Sequence, residues 1–538
     1  MFKRKKLKSL IAVSLLVSMM AGCSSSNTKS SEQNSDKTDS GGKYGGTINV
    51  AYKASPPNLD SDKSTDWTVT AVMNHVYEGL YEFNASNESV PYLAESCDIS
   101  EDGKVYNFKL RQGVKFHNGK EMKAQDVRDS FDRWLKVNEA GATVKEYIDS
   151  IDIVADYEVK VTLNQVYSPF LNMIASPVSN QKLVIRPSET IKKYGSDPIE
   201  EHIGTGPYKF DSWVPDESVK LVKFEDYSPA SGKSSGLSGE RIAYADEIDF
   251  SFVADEAVRV AGATTGEFMF AEEVSQDKYK EIENTDGVKP NVLKDDVEGM
   301  LTFNCGAAPF NDINARKAVA IGLDMNEFGK AAIGDEVFWK LDGSLFSENT
   351  IWYDKDAGKD VYAKNDLKLA KEYLDKSNYS GEPVVIVQTK DDNVETQGAL
   401  DLKSQLEKIG FNVEVQLYDR ATVMDKRSKK DGWGIHLTYF SVWNPDPQVW
   451  GAWVGTNGWI TNWNDKDSKD MDDIFARMMV EKDEKERYKI VQEWYDEFWD
   501  SVPYVKTIDY SRMNVINDKL QGYVGYCQPY FWNSWVQE

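Results

Sequence analysis

Histidine and cysteine are scarce: the 538-residue chain has four of each. That leaves little material for imidazole or thiolate metal sites and for activated nucleophiles. His75, His117, His202 and His436 form no H-E-x-x-H motif and no i, i+4 pair, so neither a metal site nor a cofactor nor a catalytic residue is expected. Positive charge is also short, with 63 Lys and Arg against 88 Asp and Glu and a net charge of −25. Such a surface repels the phosphate backbone that dominates nucleic-acid affinity, which excludes DNA and RNA as partners. Beyond residue 20 no apolar run approaches the roughly 20 residues that a membrane-spanning helix needs. There is no internal repeat of fixed period.

What is present is globular. Hydrophobic residues make up 41% and charged residues 28%, with 17 Pro and 36 Gly, which fits neither a disordered nor a fibrous chain. At roughly 150 residues per domain the length allows two or three domains with ordinary cores.

Residues 1–9 carry Lys3, Arg4, Lys5, Lys6 and Lys8 and no acid, and residues 10–20 are apolar. This is the n-region and h-region of an export signal. Ala21-Gly22-Cys23 follows and resembles a bacterial lipobox, which implies cleavage after residue 22 and a lipid on Cys23. Residues 1–22 are therefore expected to be a lipoprotein signal peptide. Residues 23–45, polar and small, are expected to be a flexible tether that holds the protein at the outer face of the cell membrane. Cys97, Cys305 and Cys527 remain, far apart, and allow one disulfide at most.

The pattern of the rest is α/β. Residues 47–52 and 105–110 alternate as strands, and Val127, Phe131, Trp134 and Leu135 fall on one helix face. Residues 384–387 read as a buried strand, followed by a helix through Leu402, Leu406 and Ile409 that Gly410 stops, then a strand over 413–417. That order predicts a parallel pair with a right-handed crossover. Asn365 is the expected cap of a helix carrying Leu367, Ala370, Tyr373 and Leu374.

Two motifs mislead. Gly232-Lys233-Ser234-Ser235-Gly236 matches the G-x-S-x-G nucleophile pattern, but residues 228–239 are a polar, Ser/Gly-rich loop without the flanking strand and helix that the pattern needs. Asp98, Ser100, Asp102 and Gly103 imitate the start of a calcium loop, yet Lys109 stands where a bidentate Glu is required. Glu101-Asp102-Gly103 reads instead as a hairpin turn.

Six of the fifteen Trp lie at 433, 443, 450, 453, 459 and 463, with Tyr439 and Phe440 among them. The interspersed Gly and Pro prevent one long helix, so several sit on loops. Such aromatics serve equally as plugs between lobes or as stacking faces for a ligand. Trp494, Tyr495, Phe498 and Trp499 follow a helical spacing that fits core packing.

Several blocks, in order, resemble the family 5 extracytoplasmic solute-binding proteins of ABC importers. They are Gly45-Gly46-Thr47, Asn58-Leu59-Asp60, Tyr77-Glu78-Gly79-Leu80, the stretches 91–96 and 110–119, Ala124-Gln125-Asp126-Val127, Gly204-Thr205-Gly206-Pro207-Tyr208, Pro309-Phe310-Asn311-Asp312 with Arg316, and Asp446-Pro447. The resemblance implies a two-lobe, type II periplasmic-binding-protein-like fold with a hinge and an inter-lobe ligand cleft. It implies lobe 1 over 46–270 plus 508–538, including a family-specific subdomain, and lobe 2 over 271–507. It also implies a monomer that is not an enzyme and that delivers its ligand to an ABC permease with ATPase subunits.

Peptide-binding relatives hold the ligand's α-ammonium with an Asp three residues before the acidic-Pro pair, where this chain has Trp443. That departure and the Trp enrichment favour an oligosaccharide, whereas family frequency puts an oligopeptide first. Tyr439, Trp443, Asp446 and Trp450 are the expected cleft residues.

Overall fold

The computed structural model describes residues 42–537 apart from Thr65, 179–180, 442–444, 457 and 459–460. Cys23, the signal segment and nearly all of the expected tether lie outside the described residues, as do Trp443 and Trp459. No helix among the described residues is long and apolar enough to cross a membrane.

One mixed sheet runs through both lobes. In spatial order its strands are Asn412–Tyr418, Pro383–Thr389, Ile435–Phe440, Val288–Phe303, Tyr504–Asn517, Phe270–Ala271, Thr47–Tyr52, Glu247–Phe252, Ser218–Lys223 and Tyr208–Val214, with Trp339–Lys340 added on Tyr504–Asn517. The two long central strands, Val288–Phe303 and Tyr504–Asn517, run antiparallel at the middle of the sheet. Their register breaks between Leu293 and Val297 and shifts again between Glu298 and Met300. On one side of the break Val288 to Leu293 pair with Asn517 to Arg512, and on the other Val297 to Thr302 pair with Tyr510 to Tyr504.

The expected β-α-β unit forms as Pro383–Thr389, the helix Asn393–Ile409 and Asn412–Tyr418, with the strands parallel. Asp392 caps that helix by accepting from the Glu395 amide at 3.0 Å, and Gly410 ends it at φ 127°. The helix Leu367–Lys376 is capped by Asp366, one residue later than expected, because Asn365 lies at φ 52° and the Asp366 carboxylate accepts from the Leu369 amide. A separate four-stranded sheet is formed by Ala94–Ile99, Val105–Leu110, Glu158–Leu163 and Ile148–Ala155. Its first hairpin turns at Gly103, φ 72°, and across it Lys109 pairs with Asp98 at 2.8 Å, which explains the false calcium pattern.

One apolar core belongs to the first lobe, around Ile48, Val50, Phe250 and Phe531; another runs from the small sheet into the second lobe, from Phe108 and Phe170 to Ile386 and Trp494. Buried ion pairs organise the first lobe: Arg133 and Arg186 hold Asp60 and Asp62, while Lys182 and Arg241 hold Glu82 and Glu78. The Gly204-Thr205-Gly206 block fits against this network. A Cβ at Gly204 would meet the Val76 carbonyl oxygen at 2.0 Å and one at Gly206 the His75 carbonyl oxygen at 2.4 Å, while the Thr205 hydroxyl donates to Glu78 at 2.8 Å. Arg316 is buried too, donating to the carbonyls of Phe310, Ser501 and Val502. Among the described residues Cys97, Cys305 and Cys527 form no disulfide.

Candidate functional site

Ligands of α/β proteins bind outside the carboxyl ends of parallel strands. Here two such sets of ends exist. In the first lobe, Thr47–Tyr52 runs parallel to Phe270–Ala271 and Glu247–Phe252, and Lys53, Glu272 and Glu273 follow the first two strands. In the second lobe, Pro383–Thr389 runs parallel to Asn412–Tyr418 and Ile435–Phe440, and Asp392, Arg420 and Tyr439 stand at those ends. The two sets lie near each other, since Glu273 of the first lobe is among the charges acting on the Tyr439 hydroxyl of the second.

Tyr439 is 37% exposed and packs edge-on against Tyr510, with centroids 5.8 Å apart. Burial of its hydroxyl, reinforced by Asp392 and Glu395, pushes it up to about 12. Beside it Arg420 donates twice to the buried Glu395 carboxylate, at 3.2 Å each, and Gln388 donates to the other oxygen. Burial raises Glu395 to about 7 even so. Across the crevice Lys53 pairs with Glu273 at 2.7 Å, and Arg512 stacks over the Trp67 ring at 5.3 Å. The walls thus carry both signs of charge and several aromatic faces.

A second cavity of about 610 Å³ opens between the small sheet's unit and the second lobe, lined by residues such as Asn87, Ser100, Tyr106, Trp352, Lys482 and Arg487. Around it the units are tied by the Ser168 amide donating to the Met479 carbonyl at 2.9 Å, by the Ser168 hydroxyl on the Glu481 carbonyl, and by Lys482 on the Glu101 carbonyl.

The expected cleft residues divide. Tyr439 stands at the end of the strand Ile435–Phe440, partly exposed. Asp446 is fully buried and committed, taking both terminal nitrogens of Arg487 at 2.7 and 2.8 Å and the Asn172 amide at 2.9 Å. Trp450, on the helix Gln448–Val454, is also buried, against Trp453, Phe346 and Tyr504. Trp433 and Trp463 are buried as well. Trp443 lies outside the described residues. The four histidines are dispersed, and no group of acids, His and Cys among the described residues has the geometry of a metal site. Sequence reading passed over Lys53, Glu272, Arg420 and Tyr510. The signal that finds Lys53 is position alone, since it directly follows the predictable strand 47–52, whereas Arg420 opens the helix Arg420–Arg427 two residues past its strand.

A mixed sheet with two sets of parallel strands, one in each lobe, whose carboxyl ends lie near each other is the arrangement of a type II binding protein. Residues 88–462 match the profile of the bacterial extracellular solute-binding proteins, family 5, and the chain belongs to that family. It is similar, at 26% identity over 85% of this chain and 87% of the relative, to the probable peptide ABC transporter periplasmic-binding protein y4tO of Sinorhizobium fredii. It is 25% identical over 88% of this chain and 90% of the relative to the glutathione-binding protein GsiB of Pectobacterium atrosepticum. Among solved structures it shares the fold of the ABC transporter substrate-binding protein CtaP of Listeria monocytogenes, with a TM-score of 0.78 at 21% identity over 89% of this chain and 96% of that one. The periplasmic binding protein DppA of Helicobacter pylori, solved with the peptide STSA, gives 0.73 at 22% identity over 92% and 99%.

Proposed function

We propose that this protein captures oligopeptides outside the cytoplasmic membrane and hands them to an ABC permease, held at the cell surface by a lipid on Cys23. The observation that carries the ligand class is the charge pattern of the crevice. Lys53 with Glu273 on one wall and Arg420 with Glu395 on the other offer both signs to a zwitterion, and the polar ends of the strands offer hydrogen bonds to its backbone. The names of the relatives point the same way. An oligosaccharide reading leans on exposed indoles, and Trp433, Trp450 and Trp463 are spent on the core.

The lobes in this reading meet at the register break of the central strands. The first crossing then falls at Leu293 to Val297, later than the expected 270, and the second at Tyr510 to Arg512, close to the expected 508. Tyr439, Trp443, Asp446 and Trp450 divide into a contact residue, Tyr439, and supports, Asp446 and Trp450, with Trp443 beside them in sequence. The protein binds and releases its ligand unchanged, as a monomer and without a cofactor.

The test is a thermal-shift and calorimetric screen of the mature protein against peptide and oligosaccharide libraries. Ligand at about 100 times its dissociation constant adds roughly 2.7 kcal/mol to native stability. Peptide binding with no hydrolysis product is the expected result; binding of a neutral oligosaccharide with no peptide response overturns it.

A further inference from the structure

Glu272 follows the strand Phe270–Ala271 and is 8% exposed. Its carboxylate accepts one hydrogen bond, from the Lys53 amide at 3.1 Å. The Lys53 ammonium turns to Glu273 instead, and among the described residues no cation forms an ion pair with Glu272. A carboxylate taken out of water in this way calls for a counter-charge. Burial pushes it up to about 7; the Lys53 amide opposes this, Glu273 adds to it, and Arg512 and the Lys53 charge counter it more weakly.

A second observation points to the same place. Tyr52, at the end of the neighbouring strand, is completely buried, and its hydroxyl has no hydrogen-bond partner among the described residues. Buried hydroxyls are nearly always satisfied, by protein, water or ligand. Glu272 is the charge that acts most strongly on this hydroxyl, ahead of Tyr523, Tyr530 and Arg512. The Tyr523 hydroxyl likewise has no partner among the described residues. An uncompensated carboxylate and an orphaned hydroxyl thus stand side by side at the ends of paired strands, one residue past the Ala51–Ala271 pair.

We propose that Glu272 and Tyr52 form the subsite for a primary ammonium group, the amino end of the peptide. This rests on the peptide reading above and goes beyond it in naming the atoms that hold the charge. An ammonium has three donors and no acceptor. Glu272 supplies its counter-charge, and the Tyr52 oxygen supplies a further acceptor.

The experiment uses the full mature chain at pH 6.5, with wild type, Glu272→Gln and Tyr52→Phe. Each is titrated with an equimolar mixture of free-amine tetrapeptides and with the same mixture N-acetylated. The expected result is that wild type binds the free-amine mixture at least tenfold more tightly than the acetylated one. Glu272→Gln then loses at least tenfold on the free amine alone, and Tyr52→Phe about threefold.

Wild type should also release protons on binding at pH 6.5, because an ammonium displaces the proton of a carboxyl that burial raises to about 7. The acetylated arm and proton release use wild type only, so they decide the matter even if Glu272→Gln does not fold. Equal binding of both mixtures by wild type, or unchanged binding of the free amine by folded Glu272→Gln, overturns the subsite and leaves the peptide reading intact. Failure of wild type to bind either mixture overturns the peptide reading and the subsite together.

Discussion

Asp446 and Arg487 lie face to face, carboxylate against guanidinium, with two N–O distances of 2.7 and 2.8 Å and both side chains out of water. Burial works to raise the Asp446 carboxyl, yet the Arg487 charge and the hydrogen bonds from Arg487, the Gln448 amide and Asn172 hold it below its ordinary value. The pair ties the helix Glu484–Ser501 to the start of Gln448–Val454, and through Asn172 to the short helix Phe170–Ala175 beside the small sheet.

Arg487→Met should leave that carboxylate buried without its cation and cost about 3–5 kcal/mol of stability. Asn172→Ala should cost about 1 kcal/mol. Urea denaturation at pH 7 measures both. Because the folded value is depressed, the pair's contribution is present above the unfolded carboxyl value of about 3.9 and is lost as pH falls through the folded one. A change below 1 kcal/mol for Arg487→Met would contradict the buried geometry.

Tyr439→Ala should weaken peptide binding by about 1–3 kcal/mol, the range of an aromatic anchor in a cleft. Tyr439 is over a third exposed, so the melting temperature should move little. Calorimetry and a thermal melt on one preparation separate the two effects. A large fall in stability with unchanged affinity would make it a core residue.

Two sets of buried groups pull stability in opposite directions with pH. His75 and His436 are wholly buried, and desolvation lowers both to about 3, so stability present above the unfolded value of about 6.5 is lost as pH falls towards 3. Glu298, on the central strand, is raised to about 8 by burial, against the pull of Lys506. Its contribution is complete below the unfolded value of about 4.3 and is lost as pH rises through 8. The melting temperature of Glu298→Gln relative to wild type should therefore rise between pH 5 and 8.5. A difference that stays flat over that interval would place the charged form of Glu298 in the native state throughout.

With the hinge at the register break where Leu293 to Val297 lie opposite Tyr510 to Arg512, the lobes are expected to turn as rigid bodies. Small-angle scattering should give a smaller radius of gyration with saturating peptide than without. The same radius in both states, with binding verified by calorimetry, would argue that the lobes do not close on the ligand.

For Cys23→Ala, the prediction is a protein that fractionates away from the membrane or persists as an unprocessed precursor. Mass spectrometry of the wild type should find a lipid on the amino-terminal residue. A wild-type chain without lipid would remove the anchor.

Local order was legible because it depends on neighbours in the chain. The alternation of 47–52 and 105–110, the apolar face of 124–137 and the β-α-β unit ending at Gly410 all form as their patterns imply. The cap of Leu367–Lys376 slipped by one residue because Asn365 and Asp366 are both good caps, and only the backbone turn at Asn365 chooses between them. The blocks around Glu78, Gly204 and Arg316 were visible as motifs, but their reason, a buried network that leaves no room for a Cβ, was not.

The sequence alone thus determined the α/β class and the blocks that define the family. Tertiary structure decided which side chains are committed to partners and which are not. Asp446 is taken by Arg487 from 41 residues away, and Trp450 is taken by Tyr504 and Phe346. Glu272, in no motif, is left without a cation among the described residues because Lys53 turns to Glu273. The reason is physical: a charge's partner and its exposure depend on distances through space, and those exist only once distant segments have packed.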